Sequence, residues 1–257
     1  KELTIKLVFL RPLGPPTWTA WMAEPYLGTD SCGISVCSDR QMETAIQFCK
    51  ENHCQLSMHA MGTRAIARVV DRAAREEKWN DGPEPYVRVE HITDPAKDSV
   101  RKAAEKGIGF VTQPIFMYAE IESYLNNLGQ EWMKRCYPVR DLLDSGVKLC
   151  FSTDAPATSW AVPSDPFPNI KGAVTRRAWD GTDCGKDQAV DVETAVILYT
   201  KESADMVGFD RLGQLREGYK ADFLVLDRDI LEIPAEEIDQ VQVDQTYIGG
   251  RCVYSRS

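Results

Sequence analysis

Three short segments carry residue types that hold metal ions: MHAMG with His59, VEHITDP with His91 and FSTDAP with Asp154. A neutral imidazole is a common zinc ligand. A carboxylate beside a metal can both bind it and take a proton from its water. Taken singly, each has an ordinary reading: a histidine satisfied at a strand end, or an aspartate capping the next turn. Two of the chain's three histidines at the ends of successive strand-like runs shift the weight toward ligands. The third, His53, lies beside Glu51 and Asn52 at a helix end and reads as a solvated surface group. Lys6 stands inside the apolar run LTIKLVFL, where a lysine is costly to bury unless paired or modified. Condensed with CO2 it would be an anionic carbamate able to bridge two metals. A strand lysine with its stem along the surface and its ammonium in water accounts for it equally.

These residues need strands to carry them. Strand-like runs fall near residues 3–10, 55–59, 86–91, 108–112 and 147–153, and His59, His91 and Asp154 sit at or just past the ends of three of them. Between the runs the pattern is helical. Ser38-Asp39 caps a helix to about residue 52, and residues 62–79 repeat apolar positions at helical spacing. Asp94-Pro95 opens a helix that Gly107 ends. Residues 118–135 are expected to be helical or an insertion, and 169–179 and 192–208 to be helical, the last entered through Asp191. Strand, ligand, helix, repeated, is how a (β/α) barrel builds a metal site. Two Pro-rich loops, residues 11–33 and 155–168, carry Trp18, Trp21 and Trp160, which serve either as an apolar pocket wall or as packing. Beyond residue 208 the character changes to short strands, with Gly249-Gly250 as a hairpin turn. The expected division is a barrel portion over 1–208 and a small β-module over 209–257. A closed barrel needs eight strands, so three strand-helix units are expected to precede the visible ones.

Bulk properties narrow the function. The chain has 257 residues, 43% hydrophobic and 27% charged, an ordinary globular balance. Its 30 basic and 39 acidic residues leave a net charge of -9, and no basic stripe is visible, which argues against nucleic acid. No apolar stretch approaches the length of a membrane span, and LTIKLVFL lacks the pattern of a cleaved signal. Eight cysteines without such a signal read as reduced thiols in a cytoplasmic protein. One spacing, Cys32-x4-Cys37 then Cys49-x4-Cys54, could hold a structural zinc. Against it, Cys49 shares a helix face with Ala45 and Ile46 and reads as a small core residue.

With Lys6, His59, His91 and Asp154 in this order, the chain resembles the amidohydrolase superfamily, and within it the branch containing the N-substituted formamide deformylases. IKLVFLRPLGPPTWTAWMAEPY is similar to that branch's fourth strand and the stretch after it. HAMGTRAIARVVD and RVEHITDP match the fifth and sixth, QPIFMY the seventh, and FSTDAPATSWAVPSDPFPNIKGAVTRRAW the eighth. GQLREGYKADFLVLDRD and TYIGGRCVY are similar to the family's C-terminal strands. The resemblance implies an α/β fold: a partial TIM-like barrel of about strands 4–8, then strands of a small β-sandwich. It implies one or two divalent ions, most often zinc, held by a carboxylated Lys6, His59, His91 and Asp154. A metal-activated hydroxide would attack an amide-like C–N bond of a small molecule, with Asp154 passing the proton to the leaving amine. Arg176 is the substrate-contact candidate, set against a helix-surface arginine. The family's His-x-His pair is absent from this chain, and Leu10-Arg11 stands where the family usually has Asp-Gly. The expectation is therefore the C-terminal portion of a metal-dependent amidohydrolase, inactive alone. The alternative is a non-catalytic binding or assembly module, and homo-oligomerisation is left open.

Overall fold

The computed structural model describes residues 4–7 and 18–257. Five strands form one parallel sheet in the order β1-β2-β3-β4-β5: β1 (Thr4–Leu7), β2 (Gln55–Ala60), β3 (Val87–His91), β4 (Gly109–Thr112) and β5 (Lys148–Phe151). Parallel neighbours need long crossovers, and helices supply them. These are α1 (Asp39–Glu51), α2 (Thr63–Ala73) and α3 (Lys97–Lys106), then α4 (Pro114–Ala119), α5 (Ile121–Leu128), α6 (Gln130–Arg135) and α7 (Val139–Asp144) between β4 and β5. After β5 come α8 (Phe167–Thr175), α9 (Val192–Tyr199) and α10 (Lys201–Met206). A separate antiparallel sheet follows, of β6 (Phe223–Leu226), β7 (Val243–Ile248) and β8 (Arg251–Ser255). The chain is thus a mixed α/β fold built on a parallel sheet.

One face of the sheet makes the main core. Leu56, Val87, Val89 and Phe110 are all 0% exposed and share a cluster with Ile66 and Val70 of α2. Each such side chain contributes about 1.5–3 kcal/mol by leaving water. The opposite face is more polar. The Ser57 hydroxyl donates to Glu90 Oε1 at 2.6 Å, and Arg88 Nε donates to the same oxygen at 2.8 Å. Val111, Cys150 and Met206 form a small apolar patch of their own.

The strands lie where the sequence places them, and Ser38 caps α1 in a reciprocal box with Gln41. Gly107 closes α3 in the left-handed region, φ 66°. Four expectations change. Helix α3 begins at Lys97 rather than at Asp94-Pro95, because the Asp94 carboxylate accepts from Thr63 Oγ1 (3.0 Å) and Trp132 Nε1 (3.1 Å) instead of capping. Residues 118–135 hold the end of α4 and the short helices α5 and α6, interrupted at Glu120 and at Gly129, whose φ of 84° no continuing helix adopts. The helix expected over 169–179 stops at Thr175, because Arg176 takes φ 51°. The helix expected over 192–208 breaks at Thr200, whose φ -116° and ψ -81° are not helical; its hydroxyl bonds back to Val196 O at 2.7 Å.

The four-cysteine zinc reading does not survive. Cys49 and Cys54 are buried among Ile46 and Leu56, and burial pushes the Cys49 thiol up to about 12, the neutral form of a core residue. Among the described residues no three His, Cys, Asp or Glu groups come together as a metal cluster. From beyond residue 208, Ile238 and Val241 join the main core, and Asp239 pairs with Lys171 of α8 at 2.8 Å. Among the described residues no helix is long and apolar enough to cross a membrane.

Candidate metal centre

Because the five strands are parallel, their C-terminal ends share one edge of the sheet. His59 of β2, His91 of β3, Gln113 after β4 and Asp154 after β5 all sit at that edge. The His59 and His91 rings meet edge to face, with centroids 4.3 Å apart and an interplanar angle of 65°. Strand alternation alone would put His91 on the face of Val87 and Val89, away from His59 and Ser57. The backbone turns it: His91 has φ 84° and Ile92 has φ 36°, both left-handed and uncommon for such residues. Asp154 is left-handed too, with φ 55°.

The surrounding groups hold these ends in place. His91 is 3% exposed, and its Nδ1 lies 2.9 Å from Gln113 Oε1. Gln113 Nε2 in turn donates to Ser152 Oγ at 2.9 Å, two residues before Asp154. Asn169 of α8 donates to Ser152 O (3.1 Å) and accepts from the Ile115 amide of α4 (2.7 Å). Thr112 Oγ1 donates to His91 O at 3.2 Å, and Thr158 Oγ1 donates to Thr153 O. The sequence reading missed Gln113 and Asn169. The available signal was an amide at the tip of the apolar strand GFVT, between the strands that carry His91 and Asp154.

Residues 18–37 fold over His59. Trp21 O accepts from the Arg64 amide at 3.0 Å, so a backbone carbonyl caps α2 where Gly62 offers no side chain. A Cβ at Gly62 would run into the Trp21 backbone, which explains the glycine of MHAMG. Arg68 of α2 pins the same loop through Ser35 Oγ (2.7 Å), Cys37 O (2.5 Å) and Asp39 (2.6 Å). Beside His59 they enclose a pocket of about 60 Å³ lined by Trp21, Ile34, Met58 and Ala65. Trp21 is therefore pocket wall, whereas Trp160 packs edge-on against Tyr118 at 5.2 Å. On the second loop's side, burial raises the Glu120 carboxyl above the usual carboxylate range, and Ser159 offsets part of this.

Arg176 is not where the sequence reading puts it. It is 0% exposed, neither on a helix surface nor open to a substrate. Its guanidinium donates to four main-chain carbonyls: Cys136 O at 2.9 Å, Tyr137 O at 3.0 Å, Cys184 O at 2.5 Å and Gly185 O at 3.1 Å. Four of its five N–H donors are spent inside the fold. Lys6 is placed by its backbone alone, opposite Ser57 in the β1–β2 register; its side chain, like the Leu10-Arg11 pair, lies outside the described residues. The donor chemistry of the two imidazoles suits a divalent ion, one ring having its Nδ1 held by an amide oxygen; Asp154, on the next strand end but one, does not join them as a cluster of three among the described residues.

The chain is similar to known proteins over most of its length. The profile described as "Amidohydrolase family" matches residues 5–254. YtcJ of Bacillus subtilis (strain 168), named as an amidohydrolase by inference, is 26% identical over 244 residues, covering 93% of this chain and 45% of YtcJ. The N-substituted formamide deformylase of Arthrobacter pascens is 30% identical over 205 residues, 79% of this chain and 37% of the deformylase. Among solved structures, an uncharacterized metal-dependent hydrolase from Pyrococcus horikoshii OT3 superposes with a TM-score of 0.73 at 26% identity, over 87% of this chain and 44% of that one. The chain thus spans less than half the length of each.

Proposed function

On the premise that this chain belongs to the amidohydrolase family, we propose that it supplies strand-end ligands of a metal-dependent hydrolase cleaving an amide-like C–N bond in a small molecule. The observation that carries this reading is the apposition of His59 and His91 at the sheet edge, 4.3 Å between ring centroids. We read the five-stranded sheet as about strands 4–8 of a TIM-like barrel and β6–β8 as strands of a small β-sandwich; the strictly sequential parallel order supports the former.

In this reading His59 and His91 hold a divalent ion, most fittingly zinc given two imidazole donors, with Asp154 and a carboxylated Lys6 completing the ligands this chain offers. A bound metal supplies Lewis acidity and lowers the pKa of its water toward about 7. Asp154 takes the proton of the attacking water and returns it to the leaving nitrogen, which is general base and then general acid work by one carboxylate. Its backbone is left-handed, φ 55°, between the bonded Ser152 and the Thr158–Thr153 link. Trp21 and residues 34–37 wall one side against water. The ligands described here are a partial set, so the 257 residues alone are proposed to be inactive. Reduced cysteines fit a cytoplasmic setting.

Metal content and turnover of the full-length protein test the reading. H59A and H91A should each lose most of the bound metal, and D154N should lower kcat on N-substituted formamides or related amides by about a hundredfold or more. Full metal occupancy and unchanged turnover in all three would sink the proposal.

A further inference from the structure

We propose that Gln113 is a positioning residue: it sets the tautomer of His91 and couples it to the strand end that carries Asp154. The metal reading above matters only to the second of two readouts below. Gln113 is 1% exposed and held at both ends of its amide. The oxygen faces His91 Nδ1 at 2.9 Å and the nitrogen faces Ser152 Oγ at 2.9 Å. An amide oxygen only accepts, so Nδ1 carries the proton; in the neutral ring that leaves Nε2 as the unprotonated nitrogen, the form in which an imidazole binds a metal. The support beneath the amide is fixed as well. Gln113 directly precedes Pro114 at the first position of α4, and the next amide, Ile115, is bound by Asn169, which also binds Ser152 O. Three strand ends, those of β3, β4 and β5, are therefore joined by one side chain, with the sheet register β3–β4–β5 holding them abreast. An outer partner of this kind orients a ligand ring and, when removed, weakens metal binding about ten- to a hundredfold.

The test is ¹⁵N NMR of the imidazoles in the metal-free full-length protein, with His91 assigned by difference from H91N. The wild type should show a protonated Nδ1 and an unprotonated Nε2. In Q113M, which keeps the volume but removes the acceptor, the proton should shift substantially to Nε2; in Q113E, where a carboxylate still accepts from Nδ1, it should return. A wild-type His91 protonated at Nε2, or a tautomer unmoved in Q113M, overturns the proposal, and the wild-type spectrum decides alone should a variant fail to fold. As the second readout, zinc affinity should fall about ten- to a hundredfold in Q113M and be largely restored in Q113E. A wild type that binds no zinc removes the metal reading but leaves the tautomer result to stand on its own.

Discussion

Arg176 offers a quantitative test of the distinction between a substrate contact and a structural brace. The guanidinium reaches the turn after α6 through Cys136 O and Tyr137 O, and the 184–185 turn through Cys184 O and Gly185 O. These segments are irregular, so their carbonyls lack ladder partners. Two of the four keep another donor without Arg176: Tyr137 O accepts from the Val139 amide at 2.8 Å, and Gly185 O from Gln188 at 3.1 Å. Among the described residues Cys136 O and Cys184 O have only the guanidinium. Arg176→Met fills the space but strands those two carbonyls at about 1–3 kcal/mol each, a loss centred near 4 kcal/mol. Relief of the buried charge works the other way, since burial already lowers the Arg176 pKa. In a domain of about 150–250 residues about 4 kcal/mol corresponds to a Tm lower by about 8–16 °C, and by less in a longer chain. Arg176→Lys keeps the charge, yet one nitrogen cannot span four carbonyls, so its loss should be intermediate. Thermal unfolding of the full-length protein measures both, and KM well below Tm should stay unchanged. A Tm within about 1 °C of wild type combined with a raised KM would refute the brace and restore the substrate contact.

Two further predictions concern the loops around the candidate centre. Burial is the largest cause raising the Glu120 carboxyl, so the native state binds more protons than the unfolded chain between the unfolded pKa, about 4.3, and the higher folded one. Stability is lost as pH rises through that window, and E120Q should melt higher than wild type at neutral pH, with the gain vanishing below about pH 4. Equal gains at both pH values would count against the burial cause. Gly62→Ala sets a Cβ against the Trp21 backbone; it should cost about 1–3 kcal/mol and expose residues 18–37 to faster limited proteolysis, and wild-type cleavage rates would contradict the packing described.

Much of the framework was legible along the chain. Period-two and continuous apolar runs located all five strands of the parallel sheet, the Ser38-Asp39 pair located α1, and residue type at strand ends singled out His59, His91 and Asp154. These signals are local: a strand or a cap is written in residues within a few positions of one another. The reading failed where a partner far along the chain decides. Asp94 looks like a helix opener until Thr63 and Trp132 claim its carboxylate, 31 and 38 residues away. Arg176 looks like a surface residue until carbonyls 39 and 40 residues upstream enclose it.

The sequence by itself therefore determined the kind of fold and the places of the strands in its parallel sheet, because propensity and periodicity belong to neighbouring residues; it offered His59, His91 and Asp154 as candidate ligands by residue type and position alone. Only the tertiary structure decided which nitrogen of His91 faces an amide oxygen, that His91 turns through a left-handed backbone to meet His59, and that main-chain carbonyls enclose Arg176. Each of these depends on a hydrogen bond or ring contact between residues 8 to 40 positions apart, and no local pattern encodes such a pairing before the sheet has brought its strand ends to one edge.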